Sequence, residues 1–132
     1  MASKLDRRAV SSGTHWEEMA GYARAVRVGN RILVSGTTAT SSAGQVVGAG
    51  DAGAQARFIL DKIEMAIQQL GGTLADVVRT RIYVRDVGDW ERVARVHGER
   101  FGSIRPANAL VQAGLVGEEY LVEIEAEAVV ET

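Results

Sequence analysis

The sequence predicts an α+β domain in which one sheet carries two helices on a single face. Three observations predict it. Two segments place apolar residues at the 3.6-residue helical period, several others alternate at the two-residue strand period, and the elements follow in the order β, β, α, β, α, β, β. A further N-terminal strand is expected near Leu5 to Val10.

Tyr22 to Val28 and Arg31 to Ser35 are strand-like runs rich in Val, Ile and Leu, and Gly29-Asn30 between them supplies the positive φ angles of a primed hairpin turn. Gly36 to Gly50 is rich in Ser, Thr, Ala and Gly and reads as a loop, with room for a short strand at Gln45 to Val47. Asp51 is an N-cap for a helix whose apolar positions are Ala56, Ile59, Leu60, Ile63, Ala66, Ile67 and Leu70, and Gly71-Gly72 ends it in a left-handed C-cap. Val77 to Arg85 alternates, with Val78, Thr80, Ile82 and Val84 on one side and Arg79, Arg81, Tyr83 and Arg85 on the other. Asp89 caps a second helix reaching Phe101, with Trp90, Val93, His97 and Phe101 along one stripe. Pro106 suits the entry of a strand from Ala107 to Leu115, because no ladder hydrogen bond is needed there. The last strand, Tyr120 to Val130, sets Val122, Ile124, Ala126, Ala128 and Val130 against Glu123, Glu125 and Glu127.

With 46% apolar and 24% charged residues and one proline, the 132 residues fit one globular domain spanning 1–132. The absence of cysteine excludes a disulfide framework, thiol catalysis and any Cys-based zinc or iron–sulfur site, and a reducing cytoplasm is the expected location. Lys4, Arg7 and Arg8 are not followed by the apolar stretch of a signal peptide, and charges interrupt every apolar run well short of the about 18 residues of a membrane span. A net charge of −2, from 15 basic and 17 acidic residues with no basic block, argues against a nucleic-acid partner.

Gly48, Gly50 and Gly53 spell G-x-G-x-x-G before a helix, but the strand ahead is at best short and Asp51 inside the motif would face a pyrophosphate. A loop entering a capped helix is the better reading. The two histidines, His15 and His97, have no second histidine or carboxylate at ligand spacing, so no metal site is expected. His97, on an apolar stripe, reads as a partly buried packing residue with one hydrogen bond, although its near-neutral pKa also suits acid–base work. No G-x-S-x-G occurs, and Ser35 in V-S-G-T has no evident base. The Arg79, Arg81 and Arg85 face and the Glu123, Glu125 and Glu127 face can pair across strands on the side without helices, where they suit an oligomer interface better than a solvated surface.

Gly21-Tyr22, Ala25-Val26, Gly29-Asn30, Val34-Ser35-Gly36, Gln55-Ala56 with Leu60, Gly71-Gly72, Val84-Arg85-Asp86 and Val122-Glu123-Ile124-Glu125-Ala126 together make the chain, from about Met19 to Val129, resemble the RidA/YjgF family. That family is also called Rid or RutC-like and often labelled endoribonuclease L-PSP. The resemblance implies a chorismate-mutase-like fold, a homotrimer with small-molecule clefts between subunits, and cofactor-independent hydrolysis of reactive imines and their enamine tautomers, such as 2-aminoacrylate, to the keto compound and ammonia. It implies that Tyr22 and Glu123 are catalytic and that Ser35 lines the substrate site.

One family feature is missing. Pro106-Ala107-Asn108 stands where the family carries Pro-Ala-Arg, so Asn108 replaces the arginine that holds the substrate carboxylate. An amide suits a neutral carbonyl better than an anion. Arg24, two residues beyond Tyr22, and Arg105, just before Pro106, are the other candidate substrate-binding cations. The expectation is a divergent Rid-type hydrolase rather than a standard 2-aminoacrylate deaminase. The alternatives are a non-catalytic metabolite-binding trimer and, more weakly, the ribonuclease of the family label, for which the sequence offers no aromatic and basic platform.

Overall fold

A computed structural model describes residues 6–131. Six strands form one mixed sheet: β1 (Arg7–Val10), β2 (Ala25–Val28), β3 (Arg31–Thr37), β4 (Val77–Val84), β5 (Ala107–Gln112) and β6 (Val122–Val129), in the spatial order β1-β2-β3-β6-β4-β5. The helices are α1 (His15–Ala20), α2 (Ala52–Gln69) and α3 (Trp90–Phe101). β4 and β5 are parallel and all other neighbours antiparallel, so β3, β4 and β5 run the same way. The chain steps from β3 over β6 to β4 through α2, then to β5 through α3. Both crossovers advance in one direction across the sheet, and crossovers share one hand, so both long helices fall on the same face.

The helical period of α2 is the main source of the core. Ile59, Leu60, Ile63 and Ile67 are fully buried against Ile32, Ile82, Val122 and Ile124 of the sheet, and Val93, Val96 and Phe101 of α3 close the layer. Asp51 Oδ1 accepts the Ala54 amide at 3.0 Å, and Gly71 leaves the helix at φ 89°. The opposite sheet face carries no helix. Leu33 remains 41% exposed there, beside half-buried Val26 and Val28.

Several boundaries differ from expectation. Tyr22 and Arg24 precede the hairpin, which begins at Ala25 and continues through β3 to Thr37. Two β3 residues, Ser35 and Gly36, fall between the pairs Val34–Ala126 and Thr37–Ile124, forming a bulge that returns Thr37 to the core side. A second shift, between Val77 and Arg79, buries Val77 and leaves Val78 47% exposed, the reverse of the alternation expected there. Gln45 to Val47 makes only the isolated bridge Thr40–Val46. β5 stops at Gln112 and β6 starts at Val122, because Arg85 leaves the ladder and donates to the carbonyls of Leu115, Gly117 and Tyr120, ordering the intervening loop.

α3 is entered through a 3₁₀ turn at Val87–Asp89 in which Asp86, not Asp89, supplies the side-chain cap. Val96 takes the buried place expected of Trp90, which is 51% exposed. α1 had no sequence signal, since six residues are too few to display a period. The expected first strand is present as β1, and Leu5 lies outside the described residues. No helix among the described residues is long and apolar enough to cross a membrane.

Candidate active site

The β3 bulge, the turn after α1 and the start of β6 meet at one end of the sheet, around a cleft of about 230 Å³ lined by Trp16, Tyr22, Arg24, Gly36, Thr38, Val116 and Glu123. Glu123 alternates out of β6 onto the face without helices, and its carboxylate lies over Gly36, where any β-carbon would collide with it. Among the described residues no hydrogen bond reaches that carboxylate. Burial raises its pKa above the usual carboxylate range, Arg24 opposes the rise and Glu125 adds to it. A carboxyl group tuned upward without a fixed partner is suited to accept and return a proton.

Arg24 lies behind this wall, 4% exposed. Its Nε donates to Ser12 Oγ at 3.3 Å, one terminal nitrogen donates to the Gly36 carbonyl at 2.6 Å and Thr37 Oγ1 at 3.1 Å, and the other meets Glu17 Oε2 at 3.3 Å. Its guanidinium carbon stands 5.6 Å from the centre of the Tyr22 ring. Glu17, 5% exposed on α1, also accepts from Ser11, Ser12 and Thr14. Burial would raise its pKa, but these hydrogen bonds outweigh that and hold it at about 2. Glu17 is therefore an anion at neutral pH, pinning α1 to the sheet through Arg24. Lys62 of α2 donates to the Thr40 carbonyl at 3.0 Å, and burial together with Arg24 pushes it down to about 8, against the opposing pull of Glu17.

Tyr22 and Glu123 thus line one cleft, with Arg24 behind it. Ser35 lies around the corner, its hydroxyl donating to the Ala23 carbonyl at 2.7 Å, in a neighbouring open groove that also borders Tyr22. Asn108 and Arg105 are not in the cleft. Asn108 is on edge strand β5 opposite Thr80, two strand spacings from β6 and three residues along from the level of Glu123, about 14 Å between backbones. It also faces the helix side, where its amide donates to Thr80 Oγ1 at 2.9 Å. Arg105 is exposed at φ 56°, and its amide closes the end of α3 on the Phe101 carbonyl.

His97 contacts the same Thr80 hydroxyl through Nε2 at 2.8 Å, with its ring 4.6 Å from Phe101, and burial lowers its pKa. This is the packing role with one hydrogen bond. His15 is exposed beside Trp16, and among the described residues no group of three His, Asp or Glu side chains is placed to hold a metal. The glycine motif serves helix entry. Gly48 and Gly50 have positive φ, and fully buried Gln55 donates to the Gly48 and Glu119 carbonyls while accepting the Leu121 amide. On the open sheet face Arg81 and Arg31 each reach Glu127 at 3.5 Å, Tyr83 donates to Glu125, and Arg85 takes no part. Sequence reasoning missed Trp16, Val116, Gly36 and the Glu17 anchor; only Gly36, inside V-S-G-T, carried a usable signal.

A family model described as Endoribonuclease L-PSP matches residues 13–130. An uncharacterized Streptomyces coelicolor protein is 39% identical over 129 residues, covering 97% of this chain and 95% of its own. The 3-aminoacrylate deaminase RutC of Acinetobacter baylyi is 38% identical over 106 residues, covering 80% of this chain and 84% of its own. A Mycobacterium tuberculosis crystal structure, of a member of the YjgF/YER057c/UK114 family, is similar with a TM-score of 0.86 and 47% identity over 95% of this chain and 100% of that one. These likenesses agree with one another, and the chain belongs to the Endoribonuclease L-PSP family, that of the RidA/YjgF and RutC proteins.

Proposed function

We propose that this protein is a cofactor-independent, deaminase-type hydrolase of small imines and enamines, with Glu123 as general acid–base and Tyr22 as its hydroxyl partner. The observation that carries the reading is the Glu123 carboxyl group, raised in pKa and without a hydrogen-bond partner among the described residues, facing Tyr22 across a cleft. Glu123 takes a proton from water as its oxygen adds to the imine carbon, and the C=N electron pair moves to nitrogen. The same carboxyl returns that proton to nitrogen and then carries the proton of the new hydroxyl group there as well, so that the carbonyl forms, the C–N bond breaks and ammonia leaves. The deaminase name of the Acinetobacter relative supports the reaction class.

The cleft is open on the side where the sheet face carries no helix, and three copies packed by those faces would close it. In that assembly the Arg81–Glu127 pair, 3.5 Å apart on the open face, would be buried.

The test is ammonia release from imines generated in place by an amine oxidase or a dehydratase. Wild type accelerates release and Glu123→Gln slows it by about a hundredfold or more. Ligand-dependent thermal shifts with no turnover on any bound compound would replace the enzyme by a binding protein.

A further inference from the structure

We infer that the cleft selects imines lacking a carboxylate and binds them as the protonated iminium, C=NH₂⁺, against Glu123. This rests on the hydrolase reading for its reaction, but on the charges of the cleft wall for its ligand class.

A carboxylate is held well by two parallel N–H groups from one guanidinium. Of the lining supplied by one copy, Arg24 is the only lysine or arginine among the described residues. Four of its five N–H groups are spent on Ser12, Gly36, Thr37 and Glu17, so one remains where a fork needs two. Swinging it outward would strand Glu17, a buried anion, and free the Gly36 carbonyl at the bulge. Lys62 is engaged with Thr40 and does not line the cleft. Asn108 is an uncharged amide, engaged with Thr80 on the helix side.

What does face the cleft is an acceptor. Glu123 offers carboxylate oxygens that no donor among the described residues satisfies, and a ligand carboxylate placed beside it meets like charge. An iminium N–H⁺ supplies the missing donor and opposite charge together. Tyr22 and Trp16 put aromatic rings in the lining, a side-chain type whose π-system attracts cations. Val116, 77% exposed, offers an apolar wall for an alkyl substituent. Protonation also makes the imine carbon more electrophilic, so the form that binds best is the form that water attacks most readily.

Three ligands with one alkyl group separate the possibilities: isobutylammonium, valine and isobutyrate, titrated calorimetrically into the full-length wild type and into Glu123→Gln. Isobutylammonium is expected to bind at least about tenfold more tightly than valine, with isobutyrate undetected at about 10 mM, and Glu123→Gln is expected to lose that preference. In parallel, the imines made by oxidising isobutylamine and valine are compared for ammonia release. Equal or tighter binding of valine or isobutyrate overturns the inference, and loss of that binding in Arg105→Ala would then assign the carboxylate to Arg105. Absence of isobutylammonium binding at about 10 mM overturns it as well. If isobutylammonium binds as expected while neither imine is accelerated, the ligand class stands and the hydrolase reading fails.

Discussion

Glu123 and Gly36 occupy one volume between them: the carboxylate lies across the glycine, in the space a β-carbon there would fill. The bulge in β3 makes this possible by taking Gly36 out of the ladder that pairs Val34 with Ala126 and Thr37 with Ile124. The requirement at position 36 is steric, since the backbone there is not left-handed. The acid–base group therefore owes its place to the missing side chain of another residue.

Gly36→Ala is expected to turn the Glu123 carboxyl away from the cleft and lower ammonia release by about a hundredfold, the scale of an ångström-sized misplacement of a catalytic group. The added methyl meets a side-chain end, so unfolding free energy should change by only about 1 kcal/mol. Steady-state kinetics beside urea denaturation checks both; wild-type kinetics in this variant would remove Glu123 from the mechanism.

Acid stability should depend on Glu17. Its pKa is about 2 in the folded chain against 4.5 for the free side chain, so the unfolded state binds the proton first. The stabilisation is full above about pH 5 and is lost as pH falls toward 2, amounting to about 3 kcal/mol in all. Glu17→Gln should show a flatter pH dependence between pH 5 and 3 and be less stable at pH 7 by about 3 kcal/mol, because Arg24 is left buried without its anion. Urea midpoints measured from pH 7 to pH 3 decide it; identical slopes for both proteins would exclude Glu17 as the responsible group.

The open sheet face should be an interface between copies. Light scattering at micromolar concentration is expected to give three chains for wild type, and Leu33→Asp, on the 41% exposed residue of that face, a lower mass with an unchanged far-ultraviolet spectrum. A wild-type monomer would leave the cleft open.

Periodicity was enough to read α2, whose expected apolar positions are all buried, and the Gly29-Asn30 hairpin, whose turn chemistry is local. Alternation likewise reveals β6 and the Glu123, Glu125 and Glu127 face, and the resemblance points to Tyr22 and Glu123, which the fold brings to one cleft. Patterns of period 2 and 3.6 describe which side of an element a residue occupies, because backbone geometry repeats at those intervals. They carry no record of an extra residue in a strand, so neither the outward side chain of Val78 nor the bulge at Ser35-Gly36 follows from them.

The charge of the cleft was decided in three dimensions. From the sequence Arg24 is a candidate substrate-binding cation, yet Glu17, Ser12, Gly36 and Thr37 take up four of its N–H groups. Within one copy, Asn108 is held away from the cleft by its parallel register with Thr80, whose hydroxyl it shares with His97. Local sequence establishes which groups a segment can present; which of them remain free for a ligand depends on partners brought together by strand order, and those partners are distant in the chain.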